Sequence, residues 1–122
     1  MAKHILFVED DSLLRDILEN FLKKSGFEVT VAHDGAEALQ LAKQVQPDLI
    51  LLDILLPKKN GFDVLAQIRQ DQNITNTPVI ILSNFNDPAD IKRGQELRVV
   101  EYMVKATTIP EEIVTKIKAI LG

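Results

Sequence analysis

At 122 residues the chain has room for one domain with a genuine core and not for two. Its 46% apolar and 26% charged residues are ordinary for a soluble globular protein and argue against intrinsic disorder, and the lack of cysteine excludes disulfides, thiolate metal sites and cysteine nucleophiles. The net charge of −4, with Lys23-Lys24, Lys58-Lys59 and Lys92-Arg93 as short scattered pairs, speaks against direct contact with nucleic acid, which needs a clustered basic face.

Ile5 to Val8 is a strand-like apolar run, too short for a signal peptide and ending in acid at Glu9-Asp10-Asp11. No segment is long enough to cross a membrane, and a cytoplasmic protein is expected. Leu13, Leu14, Ile17, Leu18, Phe21 and Leu22 recur at helical spacing, with Asp11 as a cap candidate and Ser25-Gly26 as the stop. Glu28 to Val31 alternates and is β-branched, as a second strand should be. Asp34 and Glu37 have capping-box spacing before a helix that runs through Val45 and ends at Gln46-Pro47.

Asp48 to Asp53 is a continuous apolar run closed by a carboxylate, which reads as a strand buried on both faces. Asn60-Gly61 opens a helix carrying Phe62, Leu65 and Ile68, and polar residues from Gln70 to Thr77 form a loop. Pro78 to Ser83 is a fourth buried strand, and Asp87-Pro88 caps and starts a helix reaching about Leu97. Glu101 to Val104 is a short fifth strand ending on Lys105. The last helix carries Ile109, Ile113, Ile117 and Ile120 on one stripe, with Glu111-Glu112 in its first turn.

Five strands alternating with five helices predict an α/β fold with right-handed crossovers and a mostly parallel sheet covered on both faces. All strands of such a sheet end on one edge, where ligands bind at a topological switch point. Four strands end on polar groups: Glu9-Asp10, Asp53, Ser83 and Lys105. An Asp after a strand is often only a turn residue, but convergence changes that reading. Three crowded carboxylates repel one another unless they hold a cation or a proton. A hard divalent ion such as Mg²⁺ accepts carboxylates and completes its shell with water and phosphate oxygens. With the Lys105 ammonium beside it, the edge could receive a phosphoryl group, and Asp53 could take it as an acyl phosphate.

The stretches Val8-Glu9-Asp10-Asp11, Leu51-Leu52-Asp53, Pro57-Lys58-Lys59-Asn60-Gly61, Pro78 to Ser83 and Tyr102-Met103-Val104-Lys105 are weak signals singly. In this order and at these separations they resemble the response-regulator receiver domain of two-component signalling, from His4 to Leu121. The resemblance implies a flavodoxin-like three-layer sandwich with strand order 2-1-3-4-5, and one receiver domain over residues 1–122 without an effector domain. By position it implies Asp53 as phosphoacceptor. Asp10, Glu9 partly through water, Asp53 and the Leu55 backbone carbonyl would hold Mg²⁺ or Mn²⁺. Ser83 would hydrogen-bond the phosphoryl oxygen, Lys105 would pair with it, and Tyr102 would be the aromatic that moves with Ser83. The domain would catalyse its own phosphorylation and dephosphorylation without being a true enzyme. The implied partners are a sensor histidine kinase or phosphotransfer protein, and a downstream protein or second copy on the face formed by the fourth helix, fifth strand and fifth helix. Nucleic acid and membrane are not among them.

Three positions depart from the family pattern. Ala106 follows Lys105 where a cis-proline is usual; a cis bond without proline costs about 2.5–4 kcal/mol, so either the fold enforces it or the loop differs. Asn84 stands where a smaller residue is common and is expected to narrow access to the phosphoryl site. Arg98-Val99-Val100 replaces a Gly-Ala pair, and a left-handed Arg98 would carry strain of roughly 1–2 kcal/mol. These departures leave open a phosphate-independent interaction module of the same fold. An Asp-nucleophile phosphatase is the more distant alternative, since such enzymes place the nucleophile after the first strand, where this chain begins its acidic run with Glu9. His4 and His33 read as surface residues without a chemical role.

Overall fold

The computed structural model describes residues 2–55 and 60–122. Five strands alternate with five helices: β1 (His4–Val8), α1 (Ser12–Lys24), β2 (Glu28–Ala32), α2 (Gly35–Val45), β3 (Leu49–Leu52), α3 (Gly61–Gln70), β4 (Val79–Ser83), α4 (Pro88–Glu96), β5 (Glu101–Val104) and α5 (Pro110–Leu121). The strands form one parallel sheet in the order β2-β1-β3-β4-β5. The fold is thus the flavodoxin-like one that the alternating pattern and the resemblance imply, with its switch point between β1 and β3.

Successive strand residues point to opposite faces, and the two halves of the core follow that alternation. Leu6, Val8, Ile50, Leu52, Val79 and Ile81 pack with Ala38, Ala42, Val64, Leu65 and Ile68 of α2 and α3. Ile5, Phe7, Leu49, Leu51, Ile80 and Leu82 pack with Leu18, Leu22, Ile113 and Ile117 of α1 and α5. β1, β3 and β4 carry apolar residues on both faces because both faces are covered. α4 is the least embedded helix: Gly94 is its one buried residue, and a Cβ there would meet Ile81, Tyr102 and Val99 side-chain atoms at 3.3 Å each.

The helix ends follow local chemistry. Asp11 caps α1 by accepting from the backbone N–H groups of Leu13 and Leu14 at 3.0 and 3.1 Å, the structural role available to it from the sequence. Asp34 caps α2 through Glu37 N–H at 2.8 Å, but the Glu37 carboxylate reaches the His33 N–H at 2.9 Å, one residue before the cap. α1 and α4 both end in a Schellman motif. At α1, Phe27 N–H donates to Leu22 O and Gly26 N–H to Lys23 O around a left-handed Gly26 (φ +99°). At α4, Val99 N–H donates to Gly94 O and Arg98 N–H to Gln95 O around Arg98 at φ +63°. An arginine therefore occupies the position where α1 uses glycine.

At the carboxyl end of β5 the loop takes the second of the two courses open to it in the sequence. No peptide bond among the described residues is cis, and Lys105–Thr107 forms a 3₁₀ turn directly after the strand. His4 also departs from expectation. It is half-buried, with Nε2 2.6 Å from Thr30 Oγ1, because β2 lies beside it in the sheet.

Candidate functional site

The ladder between β1 and its neighbours runs one residue past each strand: Glu9 N–H donates to Ala32 O and Asp53 N–H to Val8 O, both at 3.1 Å. This backbone pairing places two carboxylates side by side at the switch point. Glu9 is 1% exposed and Asp53 4%, whereas Asp10 lies open to solvent. Carboxylate oxygens of Glu9, Asp10 and Asp53 all lie within 4.8 Å of one another. Gly61 closes in behind them. A Cβ on it would sit 2.5 Å from the Asp53 carbonyl oxygen and 2.6 Å from Ile54 Cα, so only glycine lets α3 start this close to the acid.

Lys105 enters from the end of β5. Its Nζ donates to Asp53 Oδ2 at 2.7 Å and stands 2.8 Å from Glu9 Oε1. The latter contact is an ion pair without a well-directed hydrogen bond. The other oxygens have backbone donors: Asp53 Oδ1 accepts from Leu55 N–H at 3.2 Å, and Glu9 Oε2 from Asp11 N–H at 3.2 Å. Arg15 holds the loop from behind, donating to the carbonyls of Glu9 at 3.0 Å and Asp10 at 3.4 Å.

Burial and crowding set the electrostatics. Burial raises the Glu9 pKa and the Asp53 charge raises it further, against the opposing pull of Lys105 and the Asp11 N–H. Burial works against the Lys105 ammonium, but its hydrogen bond to Asp53, its close contact with Glu9 and the charges of both carboxylates outweigh it, and its pKa is raised. One ammonium thus faces three carboxylates. The donor set is all oxygen, and the cluster retains excess negative charge when ionised, which suits a hard divalent cation.

Ser83 closes β4 at the same edge, 1% exposed, with its Oγ accepting from Phe85 N–H at 3.1 Å. The Tyr102 hydroxyl donates to the Phe85 carbonyl, so one peptide segment is gripped by both residues singled out as movable. Burial pushes the Tyr102 phenol up to about 12, and the charges of Asp90, Asp53 and Asp87 add to it. Asn84 turns its Oδ1 to Ala106 N–H at 2.9 Å, bridging the ends of β4 and β5. Beside Lys105 an apolar hollow of about 100 Å³ lies between α1 and α5, lined by Leu14, Ile17, Pro110 and Ile113 among others.

Of the residues picked from the sequence, Glu9, Asp10, Asp53 and Lys105 come together, Ser83 ends the adjoining strand, and Leu55 is held against Asp53 by its N–H. His33 pairs with Glu37 at 2.8 Å and takes no part in the cluster. The Pro57-Lys58-Lys59 part of the motif lies outside the described residues. Sequence reasoning missed the Gly61 approach, the Arg15 strut and the Asn84 bridge. Asn60-Gly61 did mark the turn, but nothing in the sequence pairs Arg15 or Asn84 with their acceptor and donor.

Residues 5–118 match the family model of the response regulator receiver domain. The chain belongs to this family. Among relatives, the receiver is 40% identical over 117 residues to the probable transcriptional regulator ycf27 of Guillardia theta, covering 96% of this chain and 44% of that protein. It is 39% identical to the alkaline phosphatase synthesis transcriptional regulatory protein PhoP of Bacillus subtilis, over 99% of this chain and 49% of that one. The DNA-binding response regulator MtrA of Mycobacterium tuberculosis is 36% identical over 98% of this chain and 50% of its own. The chain therefore spans about half the length of these relatives. Among solved structures, the chemotaxis response regulator CheY4 of Vibrio cholerae superposes with a TM-score of 0.91 at 26% identity, covering 99% of this receiver and 100% of that chain. The BeF3-activated N-terminal receiver domain of Klebsiella pneumoniae RstA does so with 0.88 at 28%, covering 97% of each. This receiver has a signalling role within two-component systems, whose receivers interact with histidine kinases.

Proposed function

We propose that this receiver takes a phosphoryl group onto Asp53 from the phosphohistidine of a partner kinase or phosphotransfer protein, and later loses it to water. The observation that carries the reading is the Lys105 ammonium set between Asp53 and Glu9 while Asp10 adds a third carboxylate at the open edge. In the forward step an Asp53 carboxylate oxygen attacks phosphorus, a P–O bond forms, the donor's P–N bond breaks and the imidazole leaves. Lys105 shifts from neutralising the carboxylate to pairing with the phosphoryl oxygens, so positive charge is already in place where negative charge accumulates. Glu9, Asp10, Asp53 and the Leu55 carbonyl would hold Mg²⁺ or Mn²⁺, which when bound would neutralise phosphoryl charge and orient the group. The residues fit that role because their oxygens are crowded and undercompensated.

The phosphoryl group adds roughly one negative charge at Asp53 and new acceptor oxygens. Ser83 Oγ, donating to one of them, leaves Phe85 N–H, and Tyr102 follows through the Phe85 carbonyl it holds. A hydrogen bond to a charged group contributes about 1.5–3 kcal/mol, enough to move a two-state equilibrium by about one to two orders of magnitude. The responding face is α4, β5 and α5, where a downstream protein or second copy would dock. Its partners would be proteins met in the cytoplasm, and no helix among the described residues is long and apolar enough to cross a membrane. Incubation with Mg²⁺ and acetyl phosphate should add the mass of one phosphate, and Asp53→Asn should add none. Equal uptake by Asp53→Asn, or no uptake by the parent chain, overturns the proposal.

A further inference from the structure

Lys105 opens a 3₁₀ turn, and the first N–H groups of any helical turn have no partner within it. The usual remedy is a side-chain oxygen on the residue just before the turn, accepting from the second or third N–H. That residue here is Val104, which has no oxygen to offer, and the turn has no side-chain cap of its own. The second N–H, on Ala106, is instead taken by Asn84 Oδ1 at 2.9 Å, from the end of the neighbouring strand.

We infer that Asn84 is a positioning residue for phosphoryl transfer: it caps the Lys105 turn across β4 and β5 and so fixes the peptide that carries the Lys105 side chain to Asp53 and Glu9. The Ala106 N–H belongs to the peptide unit that leaves Lys105, so anchoring it restricts the backbone from which the ammonium is held. The far side of the turn is anchored independently, by Thr108 Oγ1 donating to Val104 O at 2.7 Å. With both anchors, the ammonium is held within 2.8 Å of two buried carboxylates at the end of a long stem. Because Asn84 directly follows Ser83, the same bond ties the residue expected to move on phosphorylation to the turn that places the cation. This role gives a bulky polar side chain at position 84 a purpose opposite to obstruction. It rests on the phosphoacceptor reading of Asp53 for its functional part and on the unphosphorylated chain for its structural part.

The test compares the parent with Asn84→Ala and Asn84→Asp. In the unphosphorylated chain, Ala106 amide hydrogen exchange, read by NMR, should speed up about fivefold in Asn84→Ala, the factor expected for loss of one ordinary cap. Asn84→Asp keeps an acceptor oxygen and should restore the protection. Uptake of phosphate from acetyl phosphate and Mg²⁺, followed by intact mass, should slow in Asn84→Ala by a comparable factor. Unchanged exchange in Asn84→Ala overturns the cap. Faster or unchanged uptake, the result expected if Asn84 merely blocks the site, overturns the positioning role. A parent chain that takes up no phosphate overturns the Asp53 reading and with it the functional part of this one, while the exchange comparison still decides the cap.

Discussion

Tyr102 stands on β5 beside the site, its hydroxyl on the Phe85 carbonyl, and its ionisation reports how closed that region is. Burial above all, and the carboxylates of Asp90, Asp53 and Asp87 in addition, raise its pKa to about 12 from an ordinary value of 10. A folded-state pKa above the unfolded one means the folded chain holds the proton more tightly. The associated stability is present in full below about pH 10 and is lost as pH rises through about 12. The chain has one tyrosine and no tryptophan, so absorbance at 295 nm reads this phenol alone. The titration midpoint should lie near 12 in the folded protein and near 10 in denaturant; a folded midpoint of 10 would show that the ring is solvated. At the same scale, Asp53 is legible in the sequence because a carboxylate closing an apolar strand stands out. Arg15 is not, because its acceptors are backbone carbonyls that only the loop geometry presents.

Among the elements, α4 is held least firmly, with Gly94 alone buried and no side-chain cap at Asp87. Its C-terminal motif also carries strain, since Arg98 adopts φ +63° in the place where the equivalent motif of α1 has Gly26. The Arg98 side chain recovers little, reaching Thr75 only through contacts of 3.4 and 3.5 Å. Arg98→Gly should therefore stabilise the fold by about 1 kcal/mol, raising the thermal midpoint by about 3–5 °C for a domain of this size. A fall in the midpoint would place the weight of that corner on the arginine side chain instead. The neighbouring Arg69 is a different matter. It donates to the carbonyls of Leu97, Thr75, Thr77 and Arg98 and binds two loops together, a role invisible in a sequence where it is one more charged residue in the last turn of α3.

For the molecule as a whole, the carboxyl-end edge of the sheet concentrates negative charge in a partly buried place, so the fold works against its own repulsion there. A cation that binds only the folded state stabilises it by mass action. Added Mg²⁺ should raise the thermal midpoint, by the equivalent of about 1.4 kcal/mol at tenfold excess over its dissociation constant. Asp10→Asn should weaken that gain, and chelation should reverse it. A midpoint indifferent to Mg²⁺ would argue that the cluster is neutralised by Lys105 and proton uptake alone.

The alternation of strands and helices, and the polar residues that end the strands, were legible because each depends on local patterning: apolar runs, caps and breakers act over a few residues. From alternation alone follows a parallel sheet, and from a parallel sheet follows one edge on which Glu9, Asp10, Asp53, Ser83 and Lys105 must all lie. Family resemblance then supplied the strand order. What tertiary structure alone decided are contacts between segments far apart in sequence. Lys105 opens a 3₁₀ turn whose Ala106 N–H is taken by Asn84, His4 is drawn in beside β2, and Gly61 is pressed against Asp53. These depend on distances set by packing two faces of a sheet at once, and no local pattern encodes them.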